Sequence, residues 1–352
     1  MSRLRARWRW FALIALLFAV VLFAWTWGAP LSVFDLWSQD AERASIARRI
    51  FWREDGDWGL RPLRLCAGLL VGASLACAGA SLQSVFRNPL AEPYLLGIAS
   101  GGALGATLGL WIGQRANFTW SFGEFLGFDL GSNLSWLLAF AGALGASWLI
   151  YVLGSPRSST RSRGNDARGG LLLTGVAVSA FLGALMSLVL ALSSSADLAQ
   201  QIVFWMMGTL ARTDATQNFA LFVALVFGLA ILMFSSRDMN ALRSGDEEAQ
   251  TLGVDVRTLH FRLLFAAALM SAVAVASSGL IGFVGLLAPH IVRKLFGGDA
   301  RVLVPASAFG GAILLVGCDA IARSIVPPIE LPVGVITSLL GVPLFLWLAR
   351  KA

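Results

Sequence analysis

Residues 62–85 read PLRLCAGLLVGASLACAGASLQSV, a run whose only charged residue, Arg64, stands near its start. As an α-helix this run rises about 36 Å at 1.5 Å per residue. That exceeds the ~30 Å of a bilayer's hydrocarbon core. In lipid a lone segment satisfies its backbone hydrogen bonds internally only as a helix. Similar runs recur at 11–27, 93–113, 134–154, 171–192, 216–235, 261–280, 282–297, 303–323 and 331–349. The sequence therefore predicts an all-α polytopic membrane protein of about ten transmembrane helices, a single membrane domain over 1–352.

Composition agrees. Charged residues make up 13% of the chain and hydrophobic ones 57%, against roughly a quarter charged in soluble proteins. Most of the 37 glycines fall inside the apolar runs, where helices must approach closely. The formal charge of +7 resides largely at span ends and in short loops, so it sets orientation and does not mark a nucleic-acid partner. Ten spans place both termini in the cytoplasm. Arg3, Arg5, Arg7 and Arg9 before the first span, and Arg350 and Lys351 after the last, fit that orientation. So do Arg157, Arg161, Arg163 and Arg168 in loop 155–169, against Arg115 alone in outer loop 114–133. The outer loop 30–60 is a partial exception, with four arginines among six acids. The 261–297 stretch, interrupted by Gly279, Gly282, Gly285 and Pro289, is read as two spans meeting in a tight bend.

Several chemistries find no support. The two lysines, Lys294 and Lys351, lie in no G-x-x-x-x-G-K-[ST] context, so the chain has no phosphate-cradling P-loop and ATP would bind to another chain. No H-E-x-x-H, nucleophile elbow or paired carboxylate appears. Cys66, Cys77 and Cys318 lack metal-site spacing, and His260 and His290 are isolated, so no metal site or cofactor is expected. Acids within the spans, which proton- and ion-coupled carriers need, are scarce; Asp319 is the main one. A stand-alone secondary carrier is the rival reading, with a membrane enzyme and a non-transporting receptor subunit behind it.

Four segments carry mechanism. Arg61 and Arg64 open the second span and Arg323 closes the ninth, all at the outer face. Spacing makes Asp319 and Arg323 an i, i+4 ion pair. The arginines fit either headgroup anchoring or bidentate docking of a partner's carboxylates. The polar stretch 236–259 contains ALRSGDEEAQTLGVDV (241–256), where Ser244 or Asp246 is suited to cap a short helix and Gly253 to end it. Such a helix is too short to stand alone and must pack on its own domain or on a cytoplasmic protein. Asn88, Pro89, Leu90 and Pro93 lie in FRNPLAEPY (86–94), whose prolines enforce an irregular turn, a candidate gate. Trp205, Met206 and Met207 in FWMMG (204–208) suit a short helix at an outer mouth or an interfacial anchor.

These residues also carry a resemblance. RNPLAEPYLLG (87–97), LLLTGVA (171–177), FWMMG (204–208), SGDEEAQTLGV (244–254), GLIGFVGLLAPHIVR (279–293) and ELPVGVITSLLGVPLFLWL (330–348) resemble the FecCD-type permeases of ABC importers. Those permeases carry ferric siderophores, haem or cobalamin across the bacterial inner membrane. The likeness runs from about residue 60 to the C-terminus. It implies the type II importer permease fold, a second copy of the chain with the pathway between the two, two cytoplasmic ATPases that bind ATP and Mg, and a periplasmic binding protein. By the same resemblance Arg61, Arg64 and Arg323 receive the binding protein's acids. Ser244, Gly245, Asp246, Glu247, Glu248, Leu252 and Gly253 belong to the segment that couples to the ATPases. The regions 88–93 and 170–175, with Leu172 and Leu173, form the cytoplasmic gate, and 202–208 the short outer helix. An iron chelate is the expected cargo, with cobalamin as the alternative.

Overall fold

The computed structural model describes residues 2–26, 60–115, 130–154, 164–193, 195–326 and 329–350. The loop expectations for 30–60, 114–133 and 155–169 fall wholly or largely outside them, as does Lys351. Thirteen α-helices follow in order: α1 (Ser2–Thr26), α2 (Leu60–Val85), α3 (Ile98–Arg115), α4 (Leu130–Gly154), α5 (Gly164–Ser193), α6 (Ala196–Met206), α7 (Ala215–Phe234), α8 (Ser236–Leu242), α9 (Asp246–Thr251), α10 (Val256–Ser278), α11 (Val284–Phe296), α12 (Ala300–Ser324) and α13 (Val333–Ala349). A helix stands at each of the ten predicted spans. Among the described residues, seven of these helices are long and apolar enough to cross a bilayer.

Helix α2, which holds the 62–85 run, is the centre of the bundle. In α2, 83% of the apolar window is buried and in α10 72%, against 11% in α1 and in α5. The reason is the small residues of α2. A Cβ at Gly72 would overlap the Gly311 carbonyl of α12, and one at Gly79 the Gly285 carbonyl of α11. Backbones so close gain dispersion contacts that larger side chains would prevent, which is how helices associate without a hydrophobic drive in lipid. The α3–α4 pair uses the same device at Gly101, Gly105 and Gly142.

Three elements differ from the sequence expectation. The span placed at 282–297 is a helix of 13 residues, about 20 Å long and shorter than a hydrocarbon core. The span placed at 93–113 begins with a separate 3-10 turn, Pro93–Leu96, ended by Gly97 at φ 68°. The polar stretch 236–259 holds two short helices, α8 and α9, before α10 begins.

Candidate functional site

Pro89 and Pro93 deny the 86–97 connection a continuous helix. Asn88 shapes what replaces it: its Oδ1 accepts from the Leu90 N–H at 2.9 Å and its carbonyl from the Ala91 N–H at 3.1 Å. The turn carries Glu92 and Tyr94 to the break between α10 and α11. There Gly279 (φ 70°) and Phe283 (φ 68°) both lie in the left-handed region. For a residue other than glycine that conformation costs roughly 1–2 kcal/mol, so the surroundings must hold it.

The start of α11 exposes backbone donors with no partner inside the helix, and Phe283, its N-cap, offers no side-chain acceptor. Glu92 Oε1 accepts from the Phe283 N–H at 2.6 Å, and the Tyr94 hydroxyl accepts from the Ile281 N–H at 2.6 Å. A carboxylate at a helix N-terminus is also favoured by the dipole. One turn of chain thus caps a helix nearly two hundred residues away.

The short outer helix packs on the same break. Ser195 caps α6 by accepting from the Leu198 N–H at 3.2 Å, so the helix includes the polar stretch before Phe204 and ends at Met206. Thr209 N–H then donates to the Ser278 carbonyl at 2.8 Å. Met206 and Met207 join Tyr94, Leu280, Gly282 and the α13 residues Val335, Leu339 and Val342 around a cavity of about 690 Å³, open on one side. Its walls are almost wholly apolar. Leu339 is 66% exposed on its rim.

Of the remaining gate candidates, Leu172 packs half-buried on the core, while Leu173 is 74% exposed and does not line this cavity. Gly175 of α5 lies against the Leu95 carbonyl, so the 88–97 and 170–175 segments touch. Trp205 faces a second, more polar cavity of about 430 Å³, with Arg64, Arg212, Gln201, Gln217 and Glu330.

The three outer arginines come together, yet they turn inward. Arg61 and Arg323 are 4% and 3% exposed. Their guanidiniums donate to carbonyls of α1, Arg61 to Trp25 and Arg323 to Ala24, each at 3.1 Å. The i, i+4 pair is present, Arg323 Nε lying 3.1 Å from Asp319 Oδ2. Arg64 grips the same carboxylate, Nη2 to Oδ1 at 2.8 Å and Nε to Oδ2 at 3.1 Å. Its Nη1 holds Glu330 Oε2 at 2.6 Å. These are buried, bridged groups and not headgroup anchors reaching outward.

At the opposite end of the bundle, α8 and α9 meet at a corner made by Gly245 (φ 144°). The sequence offers Ser244 or Asp246 as the cap of the helix. The N-cap is instead Gly245, with no side-chain bond, and Asp246, Glu247 and Glu248 fill the first turn. Gly253, at φ 84°, follows the helix end as expected. Ala249 is buried in the core while Leu252 is 70% exposed, so α9 packs on its own domain and presents a second face outward. Asn240 staples α8 to α12, donating to Asp299 at 2.8 Å and accepting from the Ala300 N–H at 2.8 Å. That bond, with one from the Arg301 N–H, holds the Asp299 carboxyl below its usual range.

The sequence matches the FecCD transport family over residues 11–351. The chain belongs to the FecCD transport family. It is 40% identical over 331 residues to the hemin transport system permease protein HmuU of Yersinia pestis, covering 91% of this chain and 93% of HmuU. It is also 40% identical over 291 residues to the cobalamin import system permease protein BtuC of Halobacterium salinarum, covering 83% and 72%. Among solved structures, a metal-chelate type ABC transporter in an inward-facing conformation superposes with a TM-score of 0.75 at 29% identity, over 99% of this chain and all of that one.

In this FecCD permease the sequence reading missed Glu92, Tyr94 and Glu330 as site residues. Each acts across more than 180 positions, and the only local signal was their place inside quoted motifs. No group of three or more His, Cys, Asp or Glu residues able to hold a metal ion occurs among the described residues. The arrangement suits passage of a bulky solute past weakly interacting walls.

Proposed function

We propose that this FecCD permease forms, with a second copy of itself, the membrane channel of a binding-protein-dependent ABC importer for an iron chelate, a ferric siderophore or haem. Two ATPases at the α8–α9 face bind ATP and Mg and supply the work, and a periplasmic binding protein delivers cargo at the arginine end. The chain sits in the bacterial inner membrane with both termini in the cytoplasm. The observation that carries this reading is the apolar cavity of about 690 Å³. It is open on one side, as half of a shared pathway would be, and it borders Tyr94 of the proline turn and Met206 and Met207 at the end of the outer helix. Few polar groups line it, so a large chelate would not be trapped.

Haem is favoured by the likeness to HmuU, which spans nearly the whole of both chains. Cobalamin is the second reading, favoured by the likeness to BtuC. Reconstituted with its cognate ATPase and binding protein, the chain should take up one labelled chelate only when ATP and the loaded binding protein are both present. Uptake that ignores ATP would favour a secondary carrier.

Docking has an internal competitor. Any acid of a binding protein that seeks Arg64 must displace Glu330, which is half-exposed and bonded to Nη1. Glu330→Gln is therefore expected to tighten binding-protein association by up to about five-fold, the worth of a partly exposed ion pair. Association with the permease in nanodiscs measures it. Weaker docking would place the partner's acids elsewhere.

A further inference from the structure

We propose that a recess between α4, α5 and α10 is a binding site for an anionic phospholipid, with an acyl chain inside and the phosphate held by Arg257 and Arg262. The orientation, though not the recess, rests on the importer reading, which puts this end of the bundle at the cytoplasmic leaflet. The recess measures about 170 Å³, far smaller than the cavity beside α13. An aromatic ladder forms its wall: Trp148 to Tyr151 at 6.1 Å, Tyr151 to Phe261 at 5.6 Å and Phe261 to Phe265 at 6.1 Å between ring centroids. Leu96, in the 3-10 turn that follows the 88–93 segment, and Leu171, in the 170–175 segment, also line it, so whatever fills it lies against the candidate gate.

Its chemistry selects the occupant. Ser147 commits its one hydroxyl proton to the carbonyl of Ala143 or Leu96, and apart from this hydroxyl and that of Tyr151 the lining side chains are apolar or aromatic. Apolar recesses of this kind exclude water and accept hydrocarbon. Trp148, Phe261 and Phe265 are exposed, so the mouth opens sideways from the bundle, where acyl chains are the abundant apolar solute. Arg257, Phe261 and Phe265 follow at i, i+4 and i+8 on one stripe of α10, and Arg262 adjoins Phe261. Both arginines are exposed. Asp255, the acid beside them, is engaged by the Thr258 N–H and hydroxyl at 3.1 and 2.6 Å. Exposed guanidiniums, one a turn below Phe261 and one beside it, at the edge of an apolar groove match a phosphodiester joined to its own chain.

The test uses the full chain in nanodiscs of phosphatidylcholine containing a minority of lipid brominated along its acyl chains, either phosphatidylglycerol or phosphatidylcholine. The signal is the tryptophan quenching that disappears in Trp148→Phe. Brominated phosphatidylglycerol is expected to quench this component with roughly five-fold higher apparent affinity. Arg257→Gln with Arg262→Gln should equalise the two lipids while Trp148 remains quenchable. Equal quenching in the wild type would reduce the recess to ordinary lipid contact and overturn the proposal. So would absence of quenching by either lipid, which would mean that protein covers the face, or a preference that survives loss of both arginines. None of these readouts involves transport, so failure here is distinguishable from failure of the importer reading.

Discussion

Replacing Glu92 by alanine is expected to cut ATP-driven uptake at least tenfold in proteoliposomes, whereas Glu92→Gln keeps much of it. The Glu92 carboxylate accepts from the Phe283 N–H at 2.6 Å at the start of a helix that has no cap of its own. Alanine leaves that donor unpaired, a penalty of about 1–3 kcal/mol, and each ~1.4 kcal/mol is a factor of ten in an equilibrium between conformers. The loss falls on the link between the proline turn and α11, the two pieces that must move together if the turn gates the cavity. Glutamine retains an oxygen acceptor in the same place and gives up the charge. ATP hydrolysis measured in parallel separates a broken gate, in which hydrolysis continues, from a chain that fails to assemble. Wild-type uptake by the alanine variant would remove Glu92 from the machinery.

Asp319→Ala is expected to do more harm to the fold than any other single change at the outer end. Asp319, 4% exposed, binds both Arg64 and Arg323, with Arg61 beside them. Breaking a buried ion pair by removing one partner costs roughly 3–5 kcal/mol, because the remaining charge stays buried without compensation. The variant should unfold several degrees lower in detergent and yield less protein. Asp319→Leu combined with Arg323→Met should recover part of the loss, since replacing both members of such a pair by apolar groups is often nearly neutral. An unchanged unfolding temperature in Asp319→Ala would show that the cluster does not need the carboxylate.

Run length and composition made the bundle readable, because a bilayer leaves a 20-residue apolar segment one conformation to adopt. The Asp319–Arg323 pair was equally readable, since i, i+4 spacing on a helix fixes proximity. The Arg64 contacts with Asp319 and Glu330 were not, because they close across 255 and 266 residues and depend on how α2, α12 and the start of α13 pack. The same holds for Glu92: the sequence showed that prolines break the turn, and only the fold shows which orphan N–H the next carboxylate meets. The bend at Gly279 was legible from its glycines; the shortness of α11 was not, because hydropathy does not register that Phe283 takes φ 68° and delays the helix start to Val284. At α9 the capping residue was misplaced by one position, since Gly245 takes a backbone conformation that Ser244 or Asp246 would adopt only at a cost.

The claim that the cavity beside α13 is half of a pathway shared by two copies is tested most directly at Leu339. In a chain whose native cysteines Cys66, Cys77 and Cys318 are replaced, Leu339→Cys is treated in membranes with a short bis-methanethiosulfonate. A cross-linked dimer whose uptake is blocked and returns on reduction is the predicted result. A dimer that transports at full rate while cross-linked, or no dimer at all in a chain that transports, would contradict it.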